Sequence, residues 1–146
     1  MPKLKVFFII AIALISSISI LITGCTNNLS QSSLTGLATM KAMTKETIAY
    51  DLALANGKPT LIEFYADWCT SCQSLAPTLK SLHQKYSDRI NFVMINIDQP
   101  QWTPQLKEYQ VSGVPQITLL DSEHSIVNTF VGLLPKTVLA TDLENL

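Results

Sequence analysis

The chain has 146 residues, which leaves room for one domain of ordinary size. Its formal net charge of −1 argues against a nucleic-acid partner, which would usually require a basic face. The hydrophobic fraction of 47% is high for a soluble domain, and much of the excess lies near the start of the chain.

The first 25 residues have the pattern of an export signal. Lys3 and Lys5 precede an apolar run over residues 6–22 that is interrupted only by three serines. A basic start followed by such a run is typical of a secretory signal or a signal anchor. The positive-inside rule keeps both lysines on the cytoplasmic side, so we expect the rest of the chain to be exported and held at a membrane surface.

Two alternatives remain for the form of this membrane segment. Residues 21–25 (LITGC) resemble a bacterial lipoprotein signal, which is cut before a cysteine whose sulfur carries a diacylglycerol. This resemblance makes Cys25 a candidate lipidation site. The alternative is an uncleaved anchor, because the apolar run is near the lower limit of roughly 17–25 residues that span a bilayer.

Residues 26–43 are rich in Ser, Thr and Asn, and they carry no charge before Lys41. This composition predicts a flexible tether between the membrane segment and a folded domain. From residue 44 to residue 146 the pattern becomes that of one compact α/β domain.

Helical and strand patterns alternate along this domain in the order α-β-α-β-α-β-β-α. Strands separated by helices favour parallel pairing, and the short link between the last two strands predicts an antiparallel hairpin. The predicted helices cover 45–56, 70–86, 102–109 and 136–146, and the predicted strands cover 60–66, 91–98, 116–121 and 125–131. The sequence therefore predicts a mixed sheet flanked by helices, an order that several folds share.

A pair of cysteines narrows the choice. Cys69 and Cys72 are separated by two residues, at the junction of a predicted strand and helix. Three positions are almost one helical turn, so both sulfurs lie on one side of the helix start and can close a disulfide with little backbone movement. The helix N-terminus favours a thiolate, and the thiol pKa in such motifs falls to roughly 3.5–7.5. We therefore expect Cys69 to attack first and the deeper Cys72 to attack second.

Other roles for the pair fit the sequence less well. A structural disulfide across two residues closes too small a loop to constrain the unfolded chain much. A zinc site needs four ligands, and only His83 and His124 remain, with no paired spacing. Haem attachment needs a histidine after the second cysteine, where Gln73 stands, and is excluded. We assign no chemistry to the two histidines and expect no metal.

Residues 64–72 (FYADWCTSC) resemble the active-site segment of the thioredoxin superfamily. Pro77 matches the family's helix-kinking proline, residues 113–115 match its cis-proline segment, and Gly132 matches the glycine that ends its last strand. These features occur in the order and at the spacing of the family, and the likeness extends from about residue 44 to the C-terminus. It implies a thioredoxin fold and a thiol–disulfide oxidoreductase that uses its redox-active cysteine pair and no other cofactor.

A narrower likeness, through the stretches EFYADWC, NFVMINID and GVPQ, is to the membrane-anchored thioredoxin-like (TxlA-type) thiol:disulfide interchange proteins of cyanobacteria and plastids. It implies a domain on the periplasmic or lumenal side of a plasma or thylakoid membrane. There it would take electrons from a membrane thiol transporter and reduce disulfides in exported proteins, including apocytochromes. An oxidase or isomerase, or a non-enzymatic dithiol that holds Cu(I), stays open as an alternative.

The resemblance also implies roles for individual residues. Cys69 is the nucleophile and Cys72 the resolving thiol. Val114 and a cis Pro115 face the pair and offer backbone to a substrate strand, although a turn proline is the alternative. Trp68 forms part of an apolar docking surface, with simple packing as its alternative.

Two departures from cytosolic thioredoxins have physical consequences. Thr70-Ser71 stands where those proteins have Gly-Pro, so the reduction potential does not carry over. Glu63 is the third candidate catalytic residue and stands where they keep a buried aspartate, while Met94 replaces its lysine partner. A strand carboxylate without a cation has a raised pKa, which suits it to take the Cys72 proton directly or through water. The alternative is that Glu63 faces solvent.

Overall fold

The computed structural model describes the backbone of residues 27–146 and the side chains from residue 34 onward. Residues 33–146 form one compact unit, and the contacts given below lie within it. The predicted export signal and the candidate lipidation site Cys25 fall outside the described residues. Of the helices described from residue 27 onward, none is both long and apolar enough to cross a bilayer.

The elements follow each other in the predicted order, with one additional helix at the start. They are α1 (Asn27–Glu46), α2 (Tyr50–Ala55), β1 (Thr60–Tyr65), α3 (Thr70–Tyr86), β2 (Asn91–Asn96), a 3-10 turn (Pro100–Trp102), α4 (Thr103–Glu108), β3 (Gln116–Leu120), β4 (Ile126–Val131) and α5 (Lys136–Glu144). From β1 onward the bounds agree with the prediction to within two residues.

The first two helices correct the prediction. α1 occupies the segment that was predicted to be a flexible tether, because apolar side chains recur there every three residues and face the domain. Met40 and Met43 are fully buried, and Leu37 is partly buried beside them. A composition rich in Ser and Thr masks this repeat. α1 continues through Glu46, so the next helix is shorter than predicted and begins only at Tyr50.

The four strands form one mixed sheet in the order β2-β1-β3-β4. β1 runs parallel to β2 and antiparallel to β3, and β4 pairs antiparallel with β3 at the edge. Both central strands are buried along their whole length, which explains their nearly unbroken apolar sequences. The predicted fold, a central mixed sheet flanked by helices, is confirmed.

Alternate side chains of β1 point to opposite faces of this sheet, and helices cover both faces. On one face Leu61 belongs to a cluster with apolar side chains of α1, α3 and α5, and Tyr65 belongs to a cluster with Cys69 and Cys72. We call this face the cysteine layer. On the other face Ile62 and Phe64 pack with side chains of α2 and of the segment around α4, and we call it the aromatic layer.

Candidate redox site

Cys69 and Cys72 form a disulfide at the N-terminus of α3. After β1 the chain makes a turn in which the Cys69 N–H donates to the Ala66 carbonyl over 3.1 Å. Cys69 is the N-cap residue of α3, and its Sγ accepts a hydrogen bond of 3.0 Å from the Cys72 N–H. The two Cα atoms are 5.3 Å apart, inside the usual range for a disulfide. The sulfurs therefore share one side of the helix start, as the spacing predicts.

The two cysteines differ in position along the helix and in access. Cys69 lies at the mouth of the site with 5% of its surface exposed, while Cys72 has none exposed. N–H groups of the first helical turn, among them that of Cys72, lie at the Cys69 position and favour negative charge there. The expected order of depth, with Cys72 the more enclosed, is confirmed.

Glu63 is fully buried on β1, between Met94 of β2 and Ile117 of β3. Neither of its carboxylate oxygens has a hydrogen-bond partner among the described residues. Burial raises the pKa of this carboxyl to about 8. The alternative that Glu63 faces solvent is wrong. Alternation along β1 places Glu63 on the same face as Leu61 and Tyr65, in the cysteine layer.

The segment before β3 is brought against the cysteine pair. The Val114–Pro115 peptide bond is cis, as predicted. Val114 is half-buried and packs on the cluster that contains Cys69 and Cys72. The Pro115 carbonyl accepts a 2.8 Å hydrogen bond from the N–H of Gly132, whose positive φ of 98° suits glycine. The end of β4 thus holds the proline segment in place.

Trp68 stands beside the pair with 64% of its surface exposed. Its indole N–H donates to the Asp98 carboxylate over 3.0 Å. Together with Ile97, Leu106 and residues 111–114, it lines a pocket of about 440 Å³. An exposed tryptophan fixed by a hydrogen bond at the rim of an apolar pocket favours a docking role over simple packing.

Sequence reasoning missed the contributions of α1 and of Gln73 to the site. Met40 of α1 belongs to the same buried cluster as both cysteines. The Gln73 side-chain amide donates to the Asp67 carbonyl over 2.8 Å. The spacing of Leu37, Met40 and Met43 was the available signal for the helix, whereas no sequence pattern marked the Gln73 contact.

The histidines lie elsewhere. His83 packs edge-on against Phe92, with ring centres 5.2 Å apart, and His124 lies in the turn between β3 and β4. In the part of the chain that the structure describes, no group of three or more His, Cys, Asp or Glu side chains could hold a metal ion.

Comparison with known proteins agrees with this geometry. The family model described as Thioredoxin matches residues 39–145. The thiol:disulfide interchange protein TxlA of Synechococcus elongatus is 43% identical over 109 residues, which cover 75% of this chain and 57% of TxlA. The chloroplastic thioredoxin-like protein HCF164 of Arabidopsis thaliana is 42% identical over 107 residues, which cover 73% of this chain and 41% of HCF164. The chain therefore spans about half the length of these relatives.

The solved structures include a similar fold. A chain solved in a study of the thiol resolving mechanism in yeast mitochondrial 1-Cys peroxiredoxin via glutathione/thioredoxin systems matches with a TM-score of 0.60 and 22% sequence identity. The match covers 70% of this chain and 98% of that one. At this identity the likeness supports the fold alone.

Proposed function

The chain belongs to the thioredoxin family, and on that premise we propose that it is a thiol–disulfide oxidoreductase that reduces disulfides of exported proteins while held at a membrane. The observation that carries the proposal is the Cys69–Cys72 disulfide at a helix N-terminus, with the cis Val114–Pro115 segment packed against it. One relative is itself named a thiol:disulfide interchange protein, which supports the class of reaction.

Cys69 begins the reaction in the reduced protein. Its thiolate attacks one sulfur of a partner disulfide, so that a bond between Cys69 and the partner forms, the partner's own S–S bond breaks, and the second partner sulfur leaves as a thiolate. The Cys72 N–H, which lies 3.0 Å from the Cys69 Sγ, stabilises negative charge on that sulfur. This makes Cys69 both a good nucleophile and a good leaving group.

Cys72 completes the exchange. Once deprotonated, it attacks the Cys69 sulfur, the mixed disulfide breaks, and the Cys69–Cys72 bond forms as the structure shows it. The partner receives two electrons, and the protons released by the two cysteines balance those taken up by its two new thiols. A membrane thiol transporter, acting as a dithiol donor, then returns two electrons to the pair.

Glu63 takes the proton from Cys72 in this proposal. Its pKa of about 8 is close to that of an ordinary thiol, about 8.5, so transfer between the two groups is nearly balanced. The carboxyl has no competing hydrogen-bond partner among the described side chains, and it lies on the face of β1 that α3 covers. Transfer takes place directly or through water.

The partner chain docks on the surface beside the pair. An extended segment pairs with the backbone at Val114, across from Cys69, while an apolar side chain enters the pocket beside Trp68. Affinity then comes mainly from backbone hydrogen bonds and apolar area, which suits a reductase that acts on several exported proteins. Apocytochromes that await haem are the substrates implied by the narrower resemblance.

The membrane location rests on the sequence of the first 25 residues. Lys3, Lys5 and the apolar run favour export to the periplasmic or lumenal side, and Cys25 is the lipidation site if the segment is cleaved. Mass spectrometry of the mature N-terminus tests this step. A diacylglycerol-modified Cys25 as first residue supports the lipoprotein form, whereas an intact Met1 or Pro2 rules it out.

The direction of electron flow is the decisive test of the reductase proposal. We expect the full chain in detergent to reduce insulin disulfides and to have a reduction potential near that of thioredoxin, about −270 mV. The Thr70-Ser71 dipeptide leaves the direction of electron flow open, so the measured potential decides it. A value near −120 mV would instead assign the pair to an oxidase. Absence of any thiol exchange combined with tight Cu(I) binding would favour the metal-holding alternative.

The order of attack is tested by trapping. Cys72→Ser is expected to accumulate mixed disulfides with partner proteins through Cys69, since the resolving sulfur is gone. Cys69→Ser is the matched control, which removes one sulfur from the same site and is expected to trap no partner. Trapping through Cys72 in the control would reverse the assignment.

A further inference from the structure

The helix α1 is built into the wall of the redox site. Met40 has no exposed surface and packs in one cluster with Tyr65, Cys69, Cys72 and Ala76. Through Met40, α1 therefore contributes to the buried cluster that holds both reacting cysteines.

A second contact ties α1 to the backbone around the disulfide. At Gly36 an added Cβ would lie 2.4 Å from the Gln73 carbonyl oxygen, so only glycine permits this approach. The Gln73 N–H donates to the Cys69 carbonyl over 3.1 Å, and its side chain donates to the Asp67 carbonyl over 2.8 Å. One residue thus links the contact with α1 to two residues of the turn that presents Cys69.

A third contact brings charge to that turn. Lys41 of α1 forms an ion pair with the Asp67 carboxylate through Oδ2. The other carboxylate oxygen, Oδ1, is buried and has no hydrogen-bond partner within the described part of the chain. Asp67 stands inside the turn closed by the hydrogen bond from Cys69 to Ala66, only two residues before the nucleophile.

We propose that α1 is a positioning element of the redox pair, and that Lys41, acting through Asp67, sets the balance between the dithiol and disulfide forms of Cys69 and Cys72. This inference rests on the proposed function. Without the lysine, the unneutralised Asp67 carboxylate, two residues along the chain from Cys69, would oppose a thiolate on that sulfur. The disulfide form would then be favoured, because it carries no charge that the carboxylate can repel.

The direction in which a variant shifts the dithiol–disulfide equilibrium distinguishes an electrostatic role of the Lys41–Asp67 pair from a packing role alone. Lys41→Met leaves a negative charge beside Cys69 and shifts the equilibrium with glutathione toward the disulfide. Asp67→Asn leaves a positive charge and shifts it toward the dithiol. The double variant, Lys41→Met with Asp67→Asn, returns to the wild-type value. If the pair mattered only for packing, both single variants would move the equilibrium in the same direction.

The experiment measures the equilibrium constant of the full chain, in detergent, with reduced and oxidised glutathione. In this exchange two glutathione thiols are oxidised as the Cys69–Cys72 bond is reduced. Each single variant is expected to change the constant about two- to fivefold, which is the range of a partly exposed ion pair. Lys45→Met is the matched control, since it removes the same charge from the same helix at an exposed position.

A second measurement tests the packing contribution of α1. Gly36→Ala pushes the helix away from Gln73, so in a Cys69→Ser background it should speed alkylation of Cys72 by at least several-fold at equal pH. The matched comparison is the same background with Gly36 intact. An unchanged alkylation rate would show that α1 does not control access to Cys72.

Three outcomes overturn the inference and leave the proposed function standing. The first is a Lys41→Met shift no larger than that of Lys45→Met, the second is a shift of both single variants in the same direction, and the third is an unchanged rate of Cys72 alkylation in Gly36→Ala. A wild-type chain that exchanges no disulfides with glutathione or insulin would instead remove the proposed function, and this inference with it.

Discussion

The two faces of the sheet differ in whether their buried polar groups have hydrogen-bond partners. In the aromatic layer the hydroxyl groups of Tyr50 and Tyr109 bond each other over 2.9 Å, and Asn91 and Gln116 bond nearby backbone carbonyls. In the cysteine layer Glu63 has two buried oxygens with no hydrogen-bond partner among the described residues. One face satisfies most of its polar atoms, whereas the other leaves a carboxyl unpaired.

This difference separates stability from chemistry within one small domain. An unpaired buried carboxyl is destabilising once it ionises, so it lowers the stability of the fold at neutral and alkaline pH. The exceptions on the aromatic side of the described chain are the Thr118 hydroxyl and the Gln105 side-chain carbonyl, neutral groups whose unsatisfied state costs less. In the proposed mechanism this carboxyl is the proton acceptor, so the cysteine layer gives up stability for its chemistry.

The largest effect is expected for Glu63→Gln at alkaline pH. Burial raises the carboxyl pKa in the folded protein to about 8, while the unfolded chain keeps a value near 4.5. Below pH 4.5 the proton is bound in both states, and the full stability is present. Between pH 4.5 and 8 stability is lost progressively, because the unfolded chain gives up its proton while the folded carboxyl keeps it, and above about pH 8 the loss is complete. The loss approaches 4–5 kcal/mol at pH 9 on an order-of-magnitude estimate from about 1.4 kcal/mol per pKa unit.

Urea unfolding from pH 5 to pH 9 measures this prediction. Glu63→Gln should unfold with nearly constant free energy across the range, while the wild type weakens as pH rises. The same variant should slow release of mixed disulfides without weakening partner capture by Cys69. If the unfolding free energies of the wild type and Glu63→Gln changed equally with pH, the buried charge would not explain the pH dependence. If both proteins released mixed disulfides at the same rate, Glu63 would have no part in the mechanism.

The next largest effect is expected for Phe64→Ala in the aromatic layer. Phe64 has no exposed surface and packs at a tilt against the Tyr109 ring, with 5.6 Å between ring centres. Its truncation leaves a cavity and should cost about 3–4 kcal/mol at every pH. Thermal or urea unfolding measures the loss. Below the unfolding midpoint, the rate of insulin reduction per folded molecule should match that of the wild type. A large fall in this rate would show that the two layers are coupled.

The sequence predicts the cysteine layer better than its surroundings. The spacing of Cys69 and Cys72 predicted their disulfide, because the disulfide depends on local helix geometry. The absence of a cation opposite Glu63 predicted the raised pKa of its carboxyl, because that pKa depends on strand register. The contact of Lys41 with Asp67 spans 26 positions and depends on how α1 packs. A composition rich in Ser, Thr and Asn masks the apolar repeat of α1, so the sequence predicts a tether where the structure has a packed helix.

The smallest effect is expected for Tyr109→Phe, which removes one hydroxyl of the bonded pair in the aromatic layer. Burial raises the pKa of both phenols, so both stay neutral across the working range, and the effect should not depend on pH. Tyr109→Phe leaves the buried Tyr50 hydroxyl unpaired and should cost about 1 kcal/mol in urea unfolding.

Tyr50→Phe should cost a similar amount, and the double variant little more than either single one, because it removes both polar atoms together. Additive losses would mean that each hydroxyl has a separate partner. The stability cost of each tyrosine substitution should stay the same from pH 5 to pH 9, although the wild type itself loses stability over this range through Glu63. If that cost grew with pH, the charge-dependent part of stability could not be assigned to the cysteine layer alone.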